Sequence, residues 1–252
     1  SCCSALEGQL HIPRNVKSIG EGCFSECSKL NGSLKIESNL KIINATVFSG
    51  CCGLKGQLKI PGDVMSIGKN SFSKCSGFTG DLTVPCEVMS IGSCAFFNCF
   101  GFNGTLTISD KIRSIGEHAF FGCSGLVGPL KIPSLITKID DFLFVGCCGF
   151  NGSLMIPEEV RSIGSYSFFR CSGLTGSLVI PDRVEAIGKS AFSGCSGFEG
   201  SLKISDKITE IEESTFSRCS SLTGALVIPD KVDSILNDAF FECTGFNGPL
   251  KL

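Results

Sequence analysis

"LVIPDRVEAIGKSAFSGCSGF" occupies residues 178–198 and recurs, with small changes, along the whole chain of 252 residues. Phe192 has an equivalent every 24 residues from Phe24 to Phe240, and cysteine and glycine recur at the same interval. A fixed period of this length is the signature of a solenoid, because one short unit cannot bury its apolar face without stacking on its neighbours. The period predicts a single solenoid domain of about ten and a half coils over residues 1–252.

Each unit predicts short strands joined by tight turns. Leu178 and Ile180 alternate with other residues as in a half-buried strand, and Pro181 ends that strand because it has no N–H to donate. Residues 189–198 are too few for a long helix and predict a single α or 3₁₀ turn. The result is a β-rich solenoid with one such turn in each coil.

Gly188 marks a turn between these elements. We expect it to adopt a positive φ, which glycine accepts without steric cost. Glu212 and Leu236 stand at the same place in later coils and predict that those coils turn differently or carry strain.

The recurring aromatic and thiol residues predict the interior. Phe192 and its equivalents form a buried spine, and each ring contributes on the order of 2 kcal/mol by burial. The cysteine that recurs from Cys3 to Cys243 is a compact buried side chain whose thiol can donate to a loop carbonyl. We expect Cys123 and Cys171 to be reduced. Six cysteines lie outside this ladder: Cys2, Cys23, Cys52, Cys86, Cys94 and Cys148.

The pattern Leu-x-Ile-Pro-x-x-Val-x-x-Ile-Gly-x-x-Ala-Phe-x-x-Cys-x-x-Leu resembles the BspA-type, or Treponema-type, leucine-rich repeats. The resemblance covers the whole chain and is clearest over residues 178–198. It implies a leucine-rich-repeat right-handed superhelix whose Leu-x-Ile strands form a sheet on the concave side. It also implies a surface or secreted protein linked to adhesion and matrix binding. The chain begins within a coil and ends on a strand without polar caps, so we expect a fragment of a longer solenoid.

Composition argues against several classes of function. With 22 Lys and Arg against 24 Asp and Glu, the net charge is −2, and no basic stripe is available for nucleic acid. No apolar run is long enough to insert into a membrane. The two histidines, His11 and His118, lie in distant coils, so we expect no catalytic residues, no metal and no cofactor.

The sequence is compatible with two cellular locations for the protein. Free thiols favour a reducing intracellular compartment, whereas the resemblance favours the cell surface or secretion, which we prefer. Four Asn-x-Ser/Thr triplets would carry glycans only in a eukaryotic secretory route, and they do not decide between the two locations: Asn31, Asn44, Asn103 and Asn151.

Two functions are compatible with these features. The first is a non-enzymatic binding module, adhesin-like or receptor-like, that presents its surface to a protein or, alternatively, to a glycan. The second is a structural scaffold, or a subunit of a filament or complex, that packs on neighbouring subunits through its ends and its aromatic flank. For the binding module, the mildly basic concave face of the sheet is one candidate surface: Lys35, Lys59, Lys131 and Lys203.

A second candidate surface is aromatic and belongs to the middle coils. The residue after the spine Phe is Ser in most outer coils, as at Ser73 and Ser193, but Phe97, Phe121 and Phe169 in the middle. We expect this position to point away from the core, and a large apolar patch outside a core usually marks an interface. The predicted patch, with Phe121 and Phe169 as anchors, consists of Phe97, Phe100, Phe121, Phe142, Tyr166 and Phe169.

Overall fold

The computed structural model describes residues 5–251, so Cys2 and Cys3 lie outside the described part of the chain. The chain divides into two compact units, Ser1–Val127 and Gly128–Leu252. Each unit is a parallel β-solenoid of 24-residue coils, and residues 5–251 make about ten turns with strands and turns but no helix.

Each coil contributes up to two short strands. In the first unit the strands are β1 (Leu10–Ile12), β2 (Leu34–Ile36), β3 (Ile42–Ile43), β4 (Ser66–Ile67), β5 (Leu82–Thr83), β6 (Ser90–Ile91), β7 (Leu106–Thr107) and β8 (Ser114–Ile115). In the second unit they are β9 (Leu130–Lys131), β10 (Lys138–Ile139), β11 (Leu154–Met155), β12 (Ser162–Ile163), β13 (Leu178–Val179), β14 (Ala186–Ile187), β15 (Leu202–Lys203), β16 (Glu210–Ile211), β17 (Leu226–Val227), β18 (Ser234–Ile235) and β19 (Leu250–Lys251).

All strand pairs are parallel and join residues that are one period apart. Leu10 pairs with Leu34 in the first unit, and Leu178 pairs with Leu202 in the second. The longest sheet consists of β3, β4, β6 and β8. Because the register equals the sequence period, every residue type keeps the same place in the cross-section of successive coils.

The phenylalanine spine is the core of each unit, as predicted. In the first unit Phe72 stacks on Phe48 and Phe96 with ring centroids 5.3 and 5.5 Å apart. In the second unit Phe192 stacks in the same way on Phe168 and Phe216. These rings are fully buried, so each contributes its whole apolar area to stability.

The cysteine ladder joins successive coils by hydrogen bonds. The Cys75 thiol donates to the carbonyl of Phe48, one coil earlier, at 3.0 Å, and Cys195 donates to Phe168 at the same distance. The prediction that these thiols bond loop carbonyls is therefore confirmed. Burial raises the pKa of Cys123 and Cys195 to about 12. Every cysteine within residues 5–251 is a free thiol.

The Phe-bearing segment is not the α or 3₁₀ turn that its length predicts. Ser193 donates to the Ser190 carbonyl, three residues back, at 3.2 Å, but Phe192 donates to Thr215 of the next coil at 2.9 Å. Along the segment, backbone N–H groups donate alternately to a carbonyl of their own coil and to a carbonyl of the next coil, and a helical turn does not have this pattern. Residues two before and two after the spine Phe have positive φ, as at Ser190 and Gly194.

The prediction of a positive φ at Gly188 is wrong. Glycine is favoured there because a Cβ would lie 2.6 Å from the backbone nitrogen of Ser165 in the preceding coil. The altered turns predicted at Glu212 and Leu236 are also not found. Leu236 donates to the Ile211 carbonyl at 2.9 Å, as Gly188 donates to Ile163 at 2.8 Å, and Thr215 bonds back to Glu212 as Ala191 does to Gly188, both at 3.2 Å.

Candidate interaction surface

Three aromatic side chains of the first unit form a cluster on the flank that carries the Phe-bearing turns. Phe97 and Phe121, one coil apart, stack with their ring centroids at 4.9 Å. The His118 imidazole lies 5.8 Å from Phe121 and 6.5 Å from Phe97. All three side chains are half-buried. We call this group the first aromatic cluster.

A second aromatic cluster stands on the corresponding flank of the second unit. Phe142 and Tyr166 stack almost parallel, at 4° and 5.1 Å, and the edge of Phe169 meets Tyr166 at 5.5 Å. The Arg170 guanidinium lies over the Phe169 ring, 5.1 Å from its centroid. The cluster therefore combines apolar ring faces with one cation, a pairing that is favourable electrostatically.

Several of these aromatic residues adopt a backbone conformation that disfavours them. His118, Phe142 and Tyr166 have φ values of 58°, 57° and 56°. The equivalent place holds Gly22 and Asn70 in other coils, and glycine and asparagine are the residues that tolerate this conformation best. A bulky side chain there costs roughly 1–2 kcal/mol. The fold itself does not require aromatic residues at these places.

The serines that replace the cluster residues in other coils are more buried than predicted. We expected the position after the spine Phe to point away from the core, yet Ser73 is only 5% exposed, and Ser193 and Ser217 are buried as well. A short side chain is covered by the turns around it. Phe97, Phe121 and Phe169 are half-buried because their longer side chains extend from the same depression.

Phe100 does not join the first aromatic cluster. It is 57% exposed and, within the described residues, makes no ring contact. It lines a separate groove together with Cys52, Lys74 and Asn98. Within the first unit the structure brings Phe97 and Phe121 together, and within the second it brings Phe142, Tyr166 and Phe169 together, but it places Phe100 on a different surface.

The four lysines of the predicted basic face are exposed, three of them on strands, and ion pairs engage Lys35 and Lys203. Lys35 lies 2.5 Å from Glu37, and Lys203 lies 2.8 Å from Asp182. The Lys35 ammonium, followed by His11, lowers the pKa of Glu37. Lys59 and Lys131 are also exposed. In the second unit the same outward place also holds exposed apolar residues: Met155, Val179 and Val227.

The four Asn-x-Ser/Thr triplets differ in accessibility. Asn31, Asn103 and Asn151 are exposed, and the last two accept hydrogen bonds at 2.8 Å from the backbone of Gly80 and Gly128. Asn44 is half-buried and donates its amide to the Ile19 carbonyl at 2.7 Å. Asn44 therefore already has a structural role in the stack.

Within residues 5–251 no group of three or more His, Cys, Asp or Glu side chains could hold a metal ion. The same range has no helix of the length and apolarity needed to cross a bilayer.

Comparison with known proteins agrees with this architecture. A family model described as a BspA type leucine rich repeat region, in six copies, matches residues 1–127, 90–223 and 137–247. A leucine-rich repeat protein from Bacteroides ovatus is similar in structure, with a TM-score of 0.65 and 25% identity over 96% of this chain and 72% of that one. The T. pallidum leucine-rich repeat protein has a TM-score of 0.57 and 20% identity over 75% and 77% of the two chains. No curated protein matches the sequence significantly.

Proposed function

Because the chain belongs to the BspA-type leucine-rich repeat family, we propose that it is a non-enzymatic, adhesin-like or receptor-like module that binds a protein partner through its two aromatic clusters. Membership of this repeat family indicates a solenoid of the protein-interaction type. The family does not identify the surface that is used.

The strained backbone at His118, Phe142 and Tyr166 is the observation that carries the proposal. Residues in unfavourable backbone regions persist where the structure or the function over-determines them, and they concentrate at binding sites. Here the fold accepts Gly, Asn or Ser at the same place, as Gly22, Asn70 and Ser190 demonstrate. Backbone strain therefore offsets much of what stacking and burial contribute at these places in the free protein, and a gain on binding would account for the aromatic side chains.

The composition of the clusters fits a protein partner. Aromatic and arginine side chains dominate the residues whose truncation weakens protein interfaces most. Stacking holds Phe97 against Phe121, and Arg170 against Phe169, so these anchors lose little side-chain freedom on binding. An apolar protein surface with an acidic group opposite Arg170 would match the second cluster.

The test compares cluster variants with a matched control. Phe97→Ser with Phe121→Ser removes the first cluster, and Tyr166→Asn with Phe169→Ser removes the second, each with a residue that other coils carry. Phe100→Ser removes an exposed phenylalanine outside both clusters. Binding to a panel of purified extracellular-matrix proteins is measured by surface plasmon resonance, and folding by thermal unfolding.

We expect the wild type and Phe100→Ser to bind the same matrix protein, and both cluster variants to bind at least roughly 30-fold more weakly, as for the loss of an anchor worth about 2 kcal/mol. The proposal fails if the cluster variants bind like wild type while folded. It also fails if Phe100→Ser loses binding to the same degree.

Localisation at the cell surface or in the secreted fraction is part of this proposal. Its support is the family resemblance, and the free thiols of the chain are the reason that an intracellular site has to be tested. Antibody labelling of intact source cells, compared with permeabilised cells, distinguishes the two. Labelling that requires permeabilisation would contradict the surface assignment.

A further inference from the structure

Beside the second aromatic cluster, the flank of the second unit contains a polar depression about two coils wide. Its floor is formed by four serines, and we call it the serine notch: Ser190, Ser193, Ser214 and Ser217. Tyr166 and Phe169 form one wall, and Phe241, which is 48% exposed, forms the other. The walls are three coils apart, or about 14 Å at the usual strand spacing.

The serine hydroxyls of the notch lack partners. Ser190, Ser193 and Ser217 are 5%, 8% and 6% exposed. Within residues 5–251 none of the four hydroxyls makes a hydrogen bond to another residue. The oxygen atoms of these hydroxyls are nevertheless accessible from the notch, where a ligand can bond them. Each hydroxyl can donate one hydrogen bond and accept two.

Within residues 5–251 no ring stacks on the face of Tyr166 opposite Phe142, and Tyr166 lines the notch. Phe142, one coil earlier, covers the other face in the parallel stack. One coil later the same place holds Ser190, so the aromatic stack ends at Tyr166. An open aromatic face carries negative charge from the ring quadrupole and attracts the positively polarised C–H edge of a ligand.

Two ion pairs neutralise most of the charge around the notch. Lys189 pairs with Glu213 at 2.8 Å, and Arg218 pairs with Glu242 at 2.9 Å. Asp238 adds a carboxylate to the wall near Phe241. Because the cations are already paired and one carboxylate is in excess, the notch does not favour an anionic ligand. The volume of the notch, about 400 Å³, lies within the range of small-molecule sites, roughly 300–1,000 Å³.

We propose that the serine notch binds a neutral saccharide, whose ring stacks on the open face of Tyr166 and whose hydroxyls bond the serines of the floor. A sugar ring presents C–H groups on one face and hydroxyls at its edge, which matches the aromatic wall and the serine floor. The notch can accept a mono- or disaccharide. This site is independent of a protein partner, although its wall belongs to the second aromatic cluster.

Tyr166 makes the proposal directly measurable. It is the only tyrosine, and the chain has no tryptophan, so the intrinsic fluorescence of the protein reports on the wall of the notch. Lactose, maltose, cellobiose and diacetylchitobiose serve as neutral probes, and sialyllactose as a charged one. Each is titrated while Tyr166 fluorescence is recorded, and binding is checked by saturation-transfer NMR.

Ser193→Phe is the test variant, because it fills the notch with phenylalanine, which stands at this place one coil earlier (Phe169) and two coils later (Phe241). Ser73→Phe makes the same change at an equally buried serine of the first unit and is the matched control. Ser190→Ala with Ser217→Ala removes two hydroxyls with little change of shape, in case Ser193→Phe misfolds.

We expect at least one neutral probe to change Tyr166 fluorescence, with binding at least tenfold weaker in both notch variants and unchanged in Ser73→Phe. The proposal is overturned if no neutral probe binds, if only sialyllactose binds, or if folded notch variants bind like wild type. Equal loss in Ser73→Phe would overturn it too. Phe97→Ser with Phe121→Ser should leave saccharide binding intact, so failure here is distinguishable from failure of the protein-binding proposal.

Discussion

Tyr166 and Phe168 lie two residues apart on the same turn, yet substitutions at the two positions should differ sharply in their effect on stability. Phe168 is fully buried between Phe144 and Phe192, with ring centroids at 5.6 and 5.2 Å. Phe168→Ala therefore leaves a cavity in the spine. From the range for large-to-small core changes, we expect a loss of about 3–5 kcal/mol in the free energy of unfolding.

Tyr166→Asn loses the stack on Phe142, the edge-to-face contact with Phe169 and part of the burial of one ring. The two ring contacts are worth about 1–2 kcal/mol together, and the half-buried ring contributes roughly another 1 kcal/mol. The substitution also relieves the unfavourable φ of 56°, which is worth about 1–2 kcal/mol for a bulky residue. The gain offsets most of the loss, so we expect the free energy of unfolding to fall by only about 1 kcal/mol.

Equilibrium denaturation with guanidinium, followed by circular dichroism, measures both variants against wild type. The midpoints are comparable only if the slope of the transition is unchanged, because arrays of repeats can lose cooperativity. The two predictions are tied together by the structure. A Tyr166→Asn loss as large as that of Phe168→Ala would show that Tyr166 belongs to the core and that backbone strain is not stored at this place.

Two further predictions concern the thiols and glycines of the stack. Burial raises the pKa of Cys123 to about 12, against a usual 9.0. Below pH 9 the thiol is protonated in both the folded and the unfolded protein, whereas above pH 9 it ionises only in the unfolded chain. The free energy of unfolding should therefore fall by about 1.4 kcal/mol per buried thiol between pH 8 and pH 10. Guanidinium titrations at the two pH values measure this, and Cys123→Ala should reduce the dependence, while equal stability of the wild type at both would contradict it. Gly188→Ala should lower the free energy of unfolding by about 1–3 kcal/mol, because the added Cβ would press on the backbone of Ser165. Gly176 has a φ of 80° and nothing within 4 Å of its Cβ position, so Gly176→Asn should cost less than about 1 kcal/mol. The reverse order by thermal unfolding would refute this explanation of the glycine pattern.

The repeat architecture could be predicted from sequence because stacking converts a sequence period into a spatial register. Phe192 pairs only with its equivalents, so its phase alone indicates that it is buried. The same reasoning identified Cys195 as a packed thiol, and its bond to Phe168 follows from that place. These predictions depend on the repetition and not on the details of the backbone.

The reason for Gly188 could not be read from the sequence in this way. Glycine tolerates both a positive φ and a close backbone approach, and the sequence does not distinguish the two causes. The distance to Ser165 decides it, and that distance depends on how tightly two coils pack. Phe100 was misplaced for a related reason. Its distance along the chain from Phe97 is short, but the turn between them directs the two side chains to different surfaces.

The positive-φ positions of the Phe-bearing turns offer a way to separate surface function from architecture in this chain. At most places of the coil, packing against the neighbouring coils restricts the residue, so sequence at those places reports on the fold. Two residues before the spine Phe the backbone favours Gly or Asn, and any bulky residue there opposes the local preference. Thr46 and Cys94 are such exceptions outside the aromatic clusters. His118, Phe142 and Tyr166 are exceptions within them. Where a residue opposes the local backbone preference and adds no burial to the core, binding at the surface is the place to look for the compensating free energy.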